Sequence, residues 1–175
     1  MSDPIESWRT VAAHFGQRYD AIGEGQWTSP TPCDEWTVRD LVDHVTGVQF
    51  RMSRLVGATT EEGADWPGVR DGMAAVLAKP DALQGTSTHP VLGEAPKVQW
   101  LTVATNDLLL HTWDLARAIG ADEALPGEEV AACQEWLEQL PHSILRESGR
   151  YVDAVEVPDD ADAQTTLLAF SGRRA

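Results

Sequence analysis

Apolar residues recur near the start of the chain at steps of three and four: Ile5, Trp8, Val11, Ala12, Phe15, Tyr19 and Ile22. That is the period of one helix face, so a long amphipathic helix is predicted. It is entered through Ser2 or Asp3 with Pro4 in the first turn, and it stops near Gly23 and Gly25. Pro30 and Pro32 keep the following stretch, Ser29 to Trp36, out of any helix. Thr37 then caps a second helix, with Asp40 at the third position of a capping box and Gly57 as the stop. Its stripe is Leu41, Val45, Val48, Met52 and Leu55, and His44 falls on the same face.

Between Gly57 and Pro96 the pattern loosens. Val69, Met73, Val76 and Leu77 predict a short helix after Trp66-Pro67. The stretch Gly85 to Gly93 reads as a small hairpin, with Pro90 confining it to a sheet edge. The strongest helical pattern runs from about Lys97 to Ile119, through Val98, Leu101, Ala104, Thr105, Leu108, Thr112 and Leu115, with Gly120 behind it. A last helix begins near Pro126 and buries Val130, Cys133, Trp136, Leu137 and Leu140. Beyond Pro141 the periodicity breaks up. The acidic run from Asp153 to Asp162 reads as a surface strap, with Leu167, Leu168 and Phe170 docking the C-terminus. Four longer helices and a short one, joined by loops, predict an all-α, antiparallel four-helix bundle with that hairpin attached, in one domain spanning 1–175.

Composition narrows the function classes. A formal net charge of −15 repels phosphate backbones, and the basic residues are scattered, so nucleic acid is excluded as a partner. No apolar run approaches the roughly 18 residues of a membrane span, and no signal peptide pattern opens the chain. Two cysteines without zinc-knuckle spacing suit a reducing cytosol, so a cytoplasmic location is expected. Exposed Trp and Leu positions leave a homodimer open.

The chemistry concentrates in Asn106 to Leu115. Asp107 and His111 are four apart, hence neighbours on one helix face, and Asp114 continues the line. Burying a carboxylate and an imidazole among leucines and tryptophans is costly unless something satisfies them. His44, on the inner face of another helix, would complete two imidazoles and one carboxylate around a point. That is an open divalent-metal site of the zinc type. Asp114 would then accept a ring N–H. The plainer reading is an Asp–His pair on a helix surface together with a hydrogen-bonded core histidine. Asp40 is a rival carboxylate, although capping accounts for it. His14, His89 and His142 have no partner at ligand spacing, and Ser87 and Ser143 have no nucleophile motif around them. Cys33 lies in a loop beside Asp34 and Glu35, an acidic setting that works against a thiolate, and Cys133 reads as packing. Trp36, Trp100 and Trp113 lie near the ligand candidates, as pocket walls or as packing.

The stretch Thr31-Pro32-Cys33-Asp34-Glu35-Trp36-Thr37-Val38-Arg39-Asp40-Leu41-Val42-Asp43-His44-Val45 resembles the second-helix signature of mycothiol-dependent maleylpyruvate isomerase N-terminal domains. Leu110-His111-Thr112-Trp113-Asp114-Leu115-Ala116-Arg117-Ala118-Ile119-Gly120 is similar to the same family's later metal-binding helix. Val157 to Ala161 and Leu167 to Phe170 resemble a stand-alone, uncharacterised actinobacterial-type branch of it, within the DinB-like superfamily. The resemblance implies a DinB-like bundle and a divalent metal, zinc or nickel, held by His44, Asp107 and His111. It also implies a small-molecule thiol such as mycothiol as co-substrate, with an electrophile as its partner. Two features depart from the family. Its carboxylate is typically glutamate where this chain has Asp107, and the isomerase carries a C-terminal domain for which 175 residues leave no room. The expected function is therefore a metal-dependent thiol transferase or isomerase; the alternatives are a non-catalytic metal or small-ligand binding protein and a purely structural bundle. No catalytic base is identifiable from the residues.

Overall fold

A computed structural model describes residues 3–141 and 153–174. Expectations for Ser2, His142 and Ser143 fall outside them. The chain divides into two compact units, Asp3–Glu123 and a C-terminal unit from Ala124.

In the first unit, α1 spans Pro4–Asp20, and the Asp3 side chain accepts from the Ile5 amide at 2.9 Å. The helix ends before Gly23, since the Ala21 amide turns back onto the Arg18 and Tyr19 carbonyls, and Ile22 lies beyond it. Helix α2 spans Val38–Val56 and opens on the full capping box: the Thr37 amide donates to Asp40 Oδ2 at 2.9 Å, and the Asp40 amide to Thr37 Oγ1 at 3.3 Å. Gly57 closes it at φ 105°, a conformation that disfavours any side chain. Helix α3, Trp66–Leu77, begins at Trp66 itself because Asp65 caps the Gly68 amide at 3.1 Å.

Strands β1 (Thr86–His89) and β2 (Gly93–Pro96) pair antiparallel, Thr86 opposite Pro96 and His89 opposite Gly93. Pro90 thus sits in the turn and not on a sheet edge. His89 Nδ1 accepts from the Val91 and Leu92 amides, each at 3.1 Å, and so closes that turn. Helix α4 spans Lys97–Ile119 and ends at Gly120, φ 70°. It is buried more widely than its predicted stripe, with Leu109, Leu110 and Trp113 also inside.

Three helices meet at one buried glutamine. Gln49 Oε1 accepts from Trp8 Nε1 at 3.1 Å, and Gln49 Nε2 donates to the Ala104 carbonyl at 2.7 Å. Arg39 toward the start of α2 donates its amide to the Trp27 carbonyl, and Gln26 reaches the Ile119 carbonyl. Helix α2 therefore runs antiparallel to α1 and α4, while α1 and α4 run the same way. The detour through α3 and the hairpin returns the chain to the starting end, so the uniformly antiparallel arrangement does not hold.

In the C-terminal unit, α5 spans Gly127–Glu138 and buries Val130, Cys133 and Leu137; Trp136 is half-buried, and Leu140 lies past the helix end. A sixth helix, α6 (Ala163–Phe170), was not expected. Asp162 caps it through the Thr165 amide at 2.7 Å, and the Val155 amide of the acidic run bonds to the Ala169 carbonyl at 2.9 Å.

Candidate metal centre

The unit Asp3–Glu123 brings the three predicted donors together. Helix α2 carries His44; the i, i+4 pair on α4 supplies Asp107 and His111. His44 Nε2 lies 3.6 Å from Asp107 Oδ1, and His111 Nε2 lies 3.8 Å from the same oxygen. One donor atom from each of the three is within 4.8 Å of the others. The imidazoles meet edge-on, centroids 5.0 Å apart. The cluster is graded in exposure: the His44 side chain is 32% accessible, Asp107 25% and His111 11%. It thus opens on the His44 side and closes around His111.

Beneath His111 sits Asp114, whose side chain is wholly buried. Its Oδ2 lies 2.9 Å from His111 Nδ1. A carboxylate accepts, so Nδ1 carries a proton, and Nε2, facing His44 and Asp107, is the nitrogen that gives up its proton to offer a lone pair to a cation. Burial opposes charge on this ring. The Asp114 hydrogen bond, the Cys33 contact and the charges of Asp107 and Asp114 outweigh it, and the imidazole pKa is pushed up from 6.5 to about 10. Without a cation, His111 is held as an imidazolium between two carboxylates. A divalent cation would replace that proton charge with its own, and two imidazoles with one carboxylate are a zinc-class donor set. The residues present fit such an ion.

Sequence reasoning missed Cys33. Its Sγ donates to Asp114 Oδ2 at 3.5 Å and lies 4.0 Å from His111 Nδ1. A knot in the two-proline loop places it. The Thr31 amide donates to the Trp36 carbonyl at 3.0 Å, the Cys33 amide to Thr31 Oγ1 at 3.2 Å, and the Trp36 amide to the Cys33 carbonyl at 3.1 Å. Glu35 takes φ 64°, a left-handed conformation rare for a residue other than glycine, to close the loop. Nothing in local spacing reveals this contact, since 78 residues separate Cys33 from His111.

The same knot lays Trp36 over the cluster, 4.7 Å from the His44 ring and 6.0 Å from that of His111. The other two tryptophans serve elsewhere. Trp100 donates to the Ser87 carbonyl at 3.1 Å and packs on His89, holding the hairpin. Trp113 is 1% exposed and lies beneath Arg117. Asp40 is committed to its cap, and His14 lies beside Arg18. Cys133 is fully buried, and burial pushes its thiol pKa up to about 12.

Residues 8–79 match the family model of the mycothiol maleylpyruvate isomerase N-terminal domain. That stretch holds Cys33, Trp36 and His44, and it ends before Asp107 and His111. Two curated relatives, uncharacterised proteins of Mycobacterium tuberculosis strains CDC 1551 and H37Rv, are each 29% identical over 187 residues, covering 98% of this chain and 98% of the relative. No solved structure gives a significant match. No helix among the described residues is long and apolar enough to cross a membrane.

Proposed function

We propose, taking as premise the similarity of residues 8–79 to the mycothiol maleylpyruvate isomerase N-terminal domain, that this chain is a metal-dependent enzyme of low-molecular-weight thiols, a transferase or isomerase of the mycothiol type. In this reading α1 to α4 form a DinB-like four-helix bundle. His44 Nε2, Asp107 Oδ1 and His111 Nε2 hold one divalent cation of the zinc or nickel class. The observation that carries it is the convergence of those three atoms at 3.6 and 3.8 Å, with His111 oriented from behind by Asp114 at 2.9 Å.

A cation there supplies Lewis acidity, which lowers the pKa of a thiol and makes a nucleophile available at neutral pH. The protein's own groups do the rest. Asp114 fixes the His111 tautomer, and such partners typically change metal affinity by about 10–100-fold. Trp36 covers one side of the imidazoles with an apolar ring. The more accessible His44 side leaves room for a thiol substrate. Asp107, one methylene shorter than glutamate, requires α4 to approach the ion closely, and this favours a second reading: a protein that binds the cation or a small ligand without turnover.

Elemental analysis of protein prepared without chelator or a histidine tag tests the centre. About one zinc- or nickel-class ion per chain is expected in the wild type, with loss of the ion in His111→Ala and retention in His89→Ala. Protein still metal-free after incubation with both ions would refute it. Turnover of mycothiol with a panel of electrophiles then separates the two readings, since a fully loaded but inert protein belongs to the second.

A further inference from the structure

The His111 ring faces two clusters, one from each nitrogen. Nε2 looks to His44 and Asp107, and Nδ1 to Asp114 Oδ2 and Cys33 Sγ. The second triangle has sides of 2.9 Å (Nδ1 to Oδ2), 3.5 Å (Sγ to Oδ2) and 4.0 Å (Sγ to Nδ1). Tetrahedral bonds of roughly 2.3 Å to sulfur and 2.0 Å to nitrogen or oxygen place neighbouring donors about 3.3–3.6 Å apart. The triangle is therefore within about half an ångström of a ligand set. Asp114 is 0% exposed and His111 8%, while Cys33 is only half-buried and leaves a way in. Neither Cys33 nor Asp114 belongs to the His44–Asp107–His111 set.

We propose that Cys33 Sγ, His111 Nδ1 and Asp114 Oδ2 form a second cation position, selective for thiophilic divalent ions such as cadmium, and that it excludes occupation of the first. Ligand type sets the selectivity. A thiolate draws soft ions, whereas the imidazole and carboxylate donors of the first position suit nickel as well as zinc. The exclusion follows from the shared ring. A neutral imidazole has one lone pair. With Nδ1–H donating to Asp114, that pair is at Nε2 once the Nε2 proton has left, and it serves the first position. An ion at the second position takes the pair at Nδ1, the Nδ1 proton and the Cys33 thiol proton leave to solvent, and Nε2 keeps its proton opposite Asp107. One ring thus serves one ion at a time. The second position stands on its own geometry; the competition rests on the function proposed above.

The test is a cadmium titration of the full chain, followed by sulfur-to-cadmium charge-transfer absorption in the ultraviolet. A saturable band is expected in the wild type, in Cys133→Ser and in His44→Ala, and none in Cys33→Ser, with Cys33→Ala as the substitute if the serine variant does not fold. Preloading with nickel should raise the cadmium needed for half-saturation roughly tenfold in the wild type, and not in His44→Ala. A wild type without the band, or a band that follows Cys133 instead of Cys33, overturns the second position. Simultaneous binding of one nickel and one cadmium with no mutual effect overturns the exclusion. Nickel binding unchanged in His44→Ala overturns the first centre and leaves the cadmium result standing.

Discussion

At the scale of single residues, His111 decides most of the chemistry, because a proton and a cation compete for one nitrogen. In the metal-free protein its pKa is pushed up to about 10 from the 6.5 of a free imidazole. The folded state therefore keeps a proton that the unfolded chain gives up. The stability this contributes is complete below pH 6.5 and is lost as pH rises toward about 10. Cation binding has the opposite sign, since the proton must leave. Across that window the melting temperature of chelator-treated protein should fall, while the increment produced by added zinc should grow. A zinc increment that shrank with rising pH would show that His111 is not a ligand. Asp114→Asn keeps an acceptor for Nδ1 and removes the charge. It should weaken zinc about 10–100-fold by calorimetry, with His111 still in place. Asp107 and His111 are legible in the sequence because a helix turns their spacing into proximity. Cys33 is not, since its neighbours come from a helix 78 and 81 residues away, and only the folded loop reveals them.

At the scale of elements, two polar features carry more than their size suggests. The Thr37–Asp40 box starts the helix that holds His44, and Thr37→Ala should cost about 1 kcal/mol in denaturant unfolding. Gln49 ties α1, α2 and α4 together through its side-chain amide. Gln49→Leu strands Trp8 Nε1 in the core and should cost about 1–3 kcal/mol. Gln49 follows His44 on α2 by a little over one turn, and Ala104 precedes Asp107 on α4 by a little under one, so the same substitution should also weaken the metal. Unchanged zinc affinity in a destabilised Gln49→Leu protein would show that the tie does not set the ligand spacing. Caps, prolines and terminal glycines made the helix boundaries readable. Gln49 was not, because a polar residue on a helix reads as solvent-facing until its two partners are known. Helix α6 was missed because eight residues are too few for a stripe to stand out.

At the scale of the whole chain, the net charge of −15 works against compaction. Added sodium chloride should raise the melting temperature of metal-free protein most steeply at low ionic strength, where screening is weakest. A melting temperature falling over the same range would mean that attractive ion pairs, such as those of Arg9 with Glu6 and Arg117 with Glu123, outweigh the repulsion. The mostly helical architecture was legible from periodicity, but helix direction was not. A stripe is the same read up or down, and the parallel run of α1 and α4 depends on where the hairpin returns the chain.

The Trp36 ring lies 4.7 Å from His44, within reach of whatever charge the imidazoles carry or hold. Indole emission is quenched by a nearby imidazolium and by open-shell cations such as nickel, and is spared by closed-shell zinc. The molecule therefore carries its own optical gauge of the centre. Exchange of a proton for zinc should brighten its emission, and exchange for nickel should dim it. With seven tryptophans contributing to the signal, Trp36→Phe identifies the share that comes from this ring and leaves the ligands untouched.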